Sequence, residues 1–142
     1  MNPFGFIVGF TGTRQGMNER QQRAVSLLLD ALEVDSVAHG DCVGADDQFD
    51  ALAVERGLKI LVYPPTVDNQ RAFVKETRVF YNRREFPPQP YMDRNQAIVN
   101  CSDILIACPA TSTAEEAPRS GTWATIRRAQ SAHKPVVIIR PH

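Results

Sequence analysis

A chain of 142 residues with 43% hydrophobic and 23% charged residues has the size and composition of one globular domain with a real core. Sixteen Lys+Arg balance sixteen Asp+Glu, which excludes a global field steering the protein to nucleic acid or membrane and makes any anion site local. The apolar runs fall far short of a membrane span, and Met1-Asn2-Pro3-Phe4 lacks the basic-then-apolar pattern of a signal peptide, so a cytoplasmic protein is expected.

Phe4 to Phe10 is a short apolar run that predicts a buried central strand, followed by the glycine-containing loop Thr11-Gly12-Thr13-Arg14-Gln15-Gly16. Asn18 with Gln21 three residues on has the form of a capping box and opens a helix to about Glu33. Ala24, Leu28, Ala31 and Leu32 recur on one face of it. Ser36 to His39 predicts a second strand, and Gly40-Asp41-Cys42-Val43-Gly44 turns it into a helix that carries Ala45, Phe49, Leu52 and Ala53 on one side and stops at Gly57. Leu58 to Tyr63 is a third strand, ended by Pro64-Pro65.

From Thr66 to Pro90 the periodicity degrades. Arg71, Lys75, Arg78, Arg83 and Arg84 alternate with Phe73, Phe80, Tyr81 and Phe86, with a short helix expected near 69–77. A solvated basic loop is the preferred reading, and a functional rim is the other. Tyr91 to Ser102 predicts a helix with Arg94, Ile98 and Cys101 on one side. Asp103 to Cys108 predicts a strand buried on both faces, followed by a polar loop with Glu115 and Glu116. Ser120-Gly121-Thr122 opens a last helix carrying Trp123, Ile126 and Ala129, and Pro135 to Ile139 is the last strand. Cys42, Cys101 and Cys108 have no metal-ligand spacing and are expected to be reduced thiols.

Strands alternating with helices predict an α/β fold: an open, Rossmann-like parallel sheet of about five strands, order 3-2-1-4-5, with helices on both faces and residues 1–142 in one domain. With that order the loops after the first, second and fourth strands converge at the switch point where ligands bind in such sheets. They supply Gly12 and Thr13, Gly40 and Gly44, and Ser120, Gly121 and Thr122. Free N–H groups at a helix start, with the helix dipole, favour an anion. Arg14 or Arg119 adds a fixed, bidentate charge. Asp46 is read as a helix cap in preference to a ribose contact, and His39 and Trp123 as structural. Cys42 lies where a helix terminus lowers a thiol pKa, but a reactive role is not favoured.

Four separated motifs, Thr11-Gly12-Thr13-Arg14, Gly40-Asp41-Cys42-Val43-Gly44-Ala45-Asp46, Arg94-Asn95 ahead of Ser102-Asp103-Ile104-Leu105-Ile106, and Ser120-Gly121-Thr122, occur in the order that resembles the SLOG superfamily. This Rossmann-like group includes the DNA-processing Smf proteins, the "lonely guy" phosphoribohydrolases and small stand-alone members. The resemblance covers nearly the whole chain except 66–90. It adds Thr11, Asp41, Ala45, Asp46, Arg94 and Asn95 to the ligand- or phosphate-binding set, and it implies no required cofactor.

In the phosphoribohydrolase branch, an arginine at the position of Arg94 and a glutamate just after Gly-Thr cleave an N-glycosidic bond. Arg94 is therefore the one catalytic candidate. The glutamate is absent, because Trp123-Ala124-Thr125 follows Gly121-Thr122, and Pro118-Arg119 stands where that branch has glycines. Glu115, Glu116, Asp41 and Asp46 remain as substitutes for the missing carboxylate, and spacing selects none. The leading reading is a binding module for a nucleotide or nucleotide-derived ligand, acting as sensor or carrier and compatible with a homo-oligomer. The alternatives are a hydrolase or transferase acting on a nucleoside monophosphate, and a nucleic-acid-binding module using segment 71–86.

Overall fold

A computed structural model describes residues 3–142; Met1 and Asn2, part of the N-terminal stretch read above, lie outside the described residues. Six parallel strands form one sheet: β1 (Ile7–Gly12), β2 (Ser36–His39), β3 (Lys59–Val62), β4 (Arg84–Glu85), β5 (Ile104–Cys108) and β6 (Val136–Ile138). The order is β4-β3-β2-β1-β5-β6. This corrects the expected five strands in the order 3-2-1-4-5. The added strand, β4, comes from the segment read as irregular and extends the sheet beyond β3, pairing Leu61 with Arg84 and Val62 with Glu85. Two residues of strand, both charged and exposed, leave no alternation to detect in the sequence.

Ile7, Val8, Gly9 and Phe10 are all buried because β1 lies at the centre with helices on both sides. On one face Val8, Phe10 and Val37 pack with Val25, Leu29, Phe49 and Ala53 of α1 (Glu19–Ala31) and α2 (Ala45–Glu55). The rings of Phe10 and Phe49 stack with centroids 4.3 Å apart. On the other face Ile7, Ala38 and Leu105 pack with Ile98, Val99 and Ala129 of α4 (Tyr91–Cys101) and α5 (Gly121–Ser131).

The Asn18–Gln21 capping box forms as expected. The buried face of α1 is centred on Gln21, Val25 and Leu29, while Ala24, Leu28 and Leu32 flank it. Gln21 is buried because its amide donates to the carbonyls of Pro109 and Ile139, both at 2.9 Å, which ties α1 to the ends of β5 and β6. The expected helix near 69–77 is two short pieces, a 3₁₀ turn at Asp68–Gln70 and α3 (Val74–Thr77). Trp123 is 6% exposed and its indole N–H donates to Thr111 Oγ1 at 3.0 Å, a core position.

β1 has β2 on one side and β5 on the other, paired from Val8–Ile104 to Gly12–Cys108. The chain leaves β1 and β5 toward opposite faces of the sheet there, which opens a crevice at their carboxyl ends. No helix among the described residues is long and apolar enough to cross a membrane.

Candidate functional site

A cavity of about 360 Å³ occupies this crevice. Thr11, Gly12, Thr13, Arg14 and Gln15 line it from β1 and the following loop, and Gly40, Cys42 and Asp46 line it from the loop after β2 and the start of α2. Tyr91, Arg94, Asn95 and Ile98 face it from α4, and Arg119, Ser120, Gly121 and Thr122 from the start of α5.

The floor is built around Arg94, which is 5% exposed. Its Nη1 donates to the carbonyl oxygens of Gly40 at 2.5 Å and Tyr63 at 3.3 Å, and its Nε to Asn95 Oδ1 at 2.7 Å. A Cβ on Gly40 would strike the guanidinium, so glycine is required there for the arginine to reach the loop. Arg94 makes no ion pair with Asp103, whose carboxylate instead accepts the Ile7 N–H at 2.8 Å.

Asp46 enters the floor beside it. Its Oδ2 accepts the N–H groups of Gly40 at 3.2 Å and Cys42 at 3.1 Å. This corrects the helix-cap reading: the α2 N-cap is Gly44, with no side-chain cap, and Asp46 braces the preceding loop. It also consumes two N–H groups that the glycine loop seemed to offer an anion. Burial pushes the Asp46 carboxyl above its ordinary value, although His39, Arg94 and the two backbone donors oppose that shift. Burial likewise pushes the Cys42 thiol up, which leaves it a poor nucleophile.

The rim is cationic and rich in donors. Arg14 and Arg119 are exposed, and the Arg14 guanidinium lies 5.2 Å from the centroid of Tyr91, matched by Arg94 at 5.2 Å. Ser120 caps α5, its Oγ accepting the Trp123 N–H at 3.2 Å. The N–H groups of Gly121 and Thr122 have no protein partner among the described residues, so α5 presents free donors at its positive end.

Asp41, Gly44 and Ala45 do not line the cavity. Asp41 turns away from it, with φ 56: its carboxylate accepts from Arg71 Nε at 2.5 Å and from the Val74 N–H at 3.0 Å. Gly44 has φ 85, and a Cβ there would strike the backbone of Thr13 and Arg14. The Ala45 N–H is spent on the Thr13 carbonyl at 3.0 Å. Of the four carboxylates left open by the sequence, Asp46 lines the cavity and Asp41, Glu115 and Glu116 do not. Sequence reasoning missed Phe10, Gln15, Cys42, Tyr91, Ile98, Ala110 and Ala117 as lining residues. Tyr91, Arg94 and Ile98 were within reach of it, because i, i+3, i+7 spacing puts them on one helix face.

Segment 66–90 is not a solvated basic loop. Arg83 pairs with buried Asp50 of α2, Arg78 with Asp47 and Asp50, and Arg71 with Asp41 and Glu85. Asp50 also meets His39 Nε2 at 2.9 Å in a fully buried pair.

No family model matches the sequence, and no curated protein matches it. Solved structures do match in fold. One is the molybdenum cofactor binding protein of the phototrophic bacterium Rippkaea orientalis, 19% identical, with a TM-score of 0.70 over 95% of this chain and 76% of that one. Another is the Moco carrier protein of Chlamydomonas reinhardtii, 20% identical, with a TM-score of 0.60 over 94% and 75%. DNA processing protein A of Streptococcus pneumoniae is 20% identical, with a TM-score of 0.71 over 94% of this chain and 50% of that protein. These likenesses show the fold: an open, Rossmann-like parallel α/β sheet shared with these proteins.

Proposed function

We propose that this chain binds a phosphorylated nucleotide or nucleotide-derived ligand in the crevice, as a sensor or carrier. The observation that carries the reading is the convergence of Arg14, Arg119 and the unpartnered N–H groups of Gly121 and Thr122 on one cavity. Free helix-start donors and flanking guanidinium groups form a phosphate site. A volume of about 360 Å³ is at the lower end of the range for small-molecule sites. That two proteins of this fold bear names for binding or carrying the molybdenum cofactor supports a carrier role over turnover.

Glycosidic cleavage is the second reading, favoured by one observation: Asp46 brings a carboxylate into the cavity that also holds Arg94. Against it stand the missing glutamate and the engagement of both Asp46 and Arg94 in bracing the Gly40–Cys42 loop. The nucleic-acid reading loses support because Arg71, Arg78 and Arg83 are paired with carboxylates, leaving Lys75 and Arg84 exposed in that segment. Incubation of the protein with AMP or GMP followed by chromatography separates binder from enzyme. Intact nucleotide after hours supports the binder; free base released at a rate lost in an Arg94→Ala variant that a thermal melt shows to be folded establishes the glycosidase.

A further inference from the structure

The two oxygens of Asp46 have different surroundings. Oδ2 is held by the N–H groups of Gly40 and Cys42, whereas Oδ1 has no protein partner among the described residues. The residue is 6% exposed and lines the cavity. That oxygen is not sealed from solvent, so a donor that enters the cavity can reach it. The nearby guanidinium does not supply one, since Arg94 directs Nε and Nη1 at Asn95, Gly40 and Tyr63 and its Nη2 at Cys42 Sγ, 3.5 Å away. A second, independent observation marks the same cavity: the Tyr91 hydroxyl is buried without a hydrogen-bond partner, and Tyr91 lines the cavity.

The geometry points to Asp46 as the residue that recognises a sugar hydroxyl, so that the site selects ribose-bearing phosphorylated ligands over those lacking the hydroxyls. The inference rests on the phosphorylated-ligand reading above. The floor already holds the fixed positive charge of Arg94, which disfavours a cationic donor and leaves a neutral one. In a nucleoside monophosphate, the ribose hydroxyls are the neutral donors closest in bonds to the phosphate. With the phosphate at the rim, they are the groups best placed to reach the floor of so small a cavity. Apolar Phe10 and Ile98 line the same cavity as Asp46, a mixture that suits a sugar ring, which presents carbon faces and hydroxyl edges.

Asp46→Asn is the informative substitution. The amide oxygen still accepts from Gly40 and Cys42, while the cavity-facing oxygen becomes an NH2 donor. Isothermal titration with AMP and GMP, each against its 2′,3′-dideoxy counterpart, is run on wild type and on this variant, with a thermal melt to verify the fold. Wild type should bind the dideoxy compounds roughly tenfold or more weakly, as expected for losing a hydrogen bond to a charged group. In Asp46→Asn the ribonucleotides should fall to the dideoxy level and the dideoxy affinities should hold. Equal binding of both members of each pair by wild type, or equal weakening of both by Asp46→Asn, overturns the inference while the binding reading stands. Binding of no nucleotide at all overturns the binding reading and this inference with it. If the variant does not fold, the wild-type comparison alone decides.

Discussion

Arg83 meets the carboxylate of Asp50 with two nitrogens, Nε to Oδ2 at 2.9 Å and Nη2 to Oδ1 at 2.5 Å, in a pair whose side chains are 1% and 0% exposed. These residues lie 33 positions apart, and their contact fastens segment 66–86 over α2. The same carboxylate meets His39 at the end of β2, immediately before the cavity loop. The arrangement thus links a peripheral segment to the strand that delivers Gly40 and Cys42 to the site.

Arg83→Ala is expected to lower unfolding free energy by about 1.5–3 kcal/mol, because the buried Asp50 carboxylate loses its bidentate partner and keeps only His39 and Arg78. Urea denaturation measures the loss. Limited proteolysis should show cleavage between residues 71 and 86 appearing in the variant before the rest of the chain is cut. Arg84→Ala serves as the comparison; Arg84 is exposed and should change stability by less than about 0.5 kcal/mol.

Stability should also depend on pH at both ends. Burial would raise the Asp50 carboxyl, but the hydrogen bonds and charges of His39 and Arg83 bring it down to about 2 from 3.8. A depressed carboxylate contributes stability above its unfolded value and loses it as pH falls toward about 2. Burial would lower the His39 imidazole, but Asp50, and beyond it Asp46 and Asp41, raise it above 6.5. A raised imidazole contributes stability below its unfolded value, and that contribution is lost as pH rises through the folded value. The urea midpoint should therefore peak between roughly pH 4 and 6.5. In Asp50→Asn both flanks should flatten; flanks of unchanged slope would show that other groups control them.

How much of this was legible follows from which interactions are local. The Asn18–Gln21 box, the glycine junctions and the strand–helix alternation are encoded within a few residues of one another, and they appear where the pattern puts them. Asp50 was not legible. It sits on the buried side of α2 with Asp46 and Ala53, where an acid looks like a break in the apolar face, and its partners come from β2 and from a segment without periodicity. The brace made by Asp46 was hidden for a different reason. An aspartate at the start of a helix has a common local role, and only the loop's path in three dimensions shows that its oxygen reaches backward to Gly40 and Cys42.

Gly44 is expected to matter for folding more than for direct contact with a ligand. At φ 85 any other residue is strained, by about 1–3 kcal/mol, before the collision of its Cβ with Thr13 and Arg14 is counted. Gly44→Ala should lower the urea midpoint, and any loss of binding should follow loss of fold. A variant of wild-type stability would show that the loop relaxes without effort.

The rim charges offer a prediction confined to affinity. Arg119→Ala, at an exposed position, should leave the melting temperature within a degree or so of wild type, yet weaken AMP by roughly tenfold and adenosine little. Arg94→Ala should instead cost stability, since the carbonyls of Gly40 and Tyr63 lose their donor.

The account stands or falls on whether the cavity takes a phosphorylated ligand at the start of α5. Isothermal titration of the wild-type protein with AMP and GMP, repeated on the Arg14→Ala/Arg119→Ala double variant, measures this most directly. The expected result is one site per chain with a Kd below about 1 mM for at least one nucleotide, weakened at least about tenfold in the folded double variant. No binding by wild type at several times that concentration, or affinity unchanged when both arginines are gone, would contradict the proposed phosphate site.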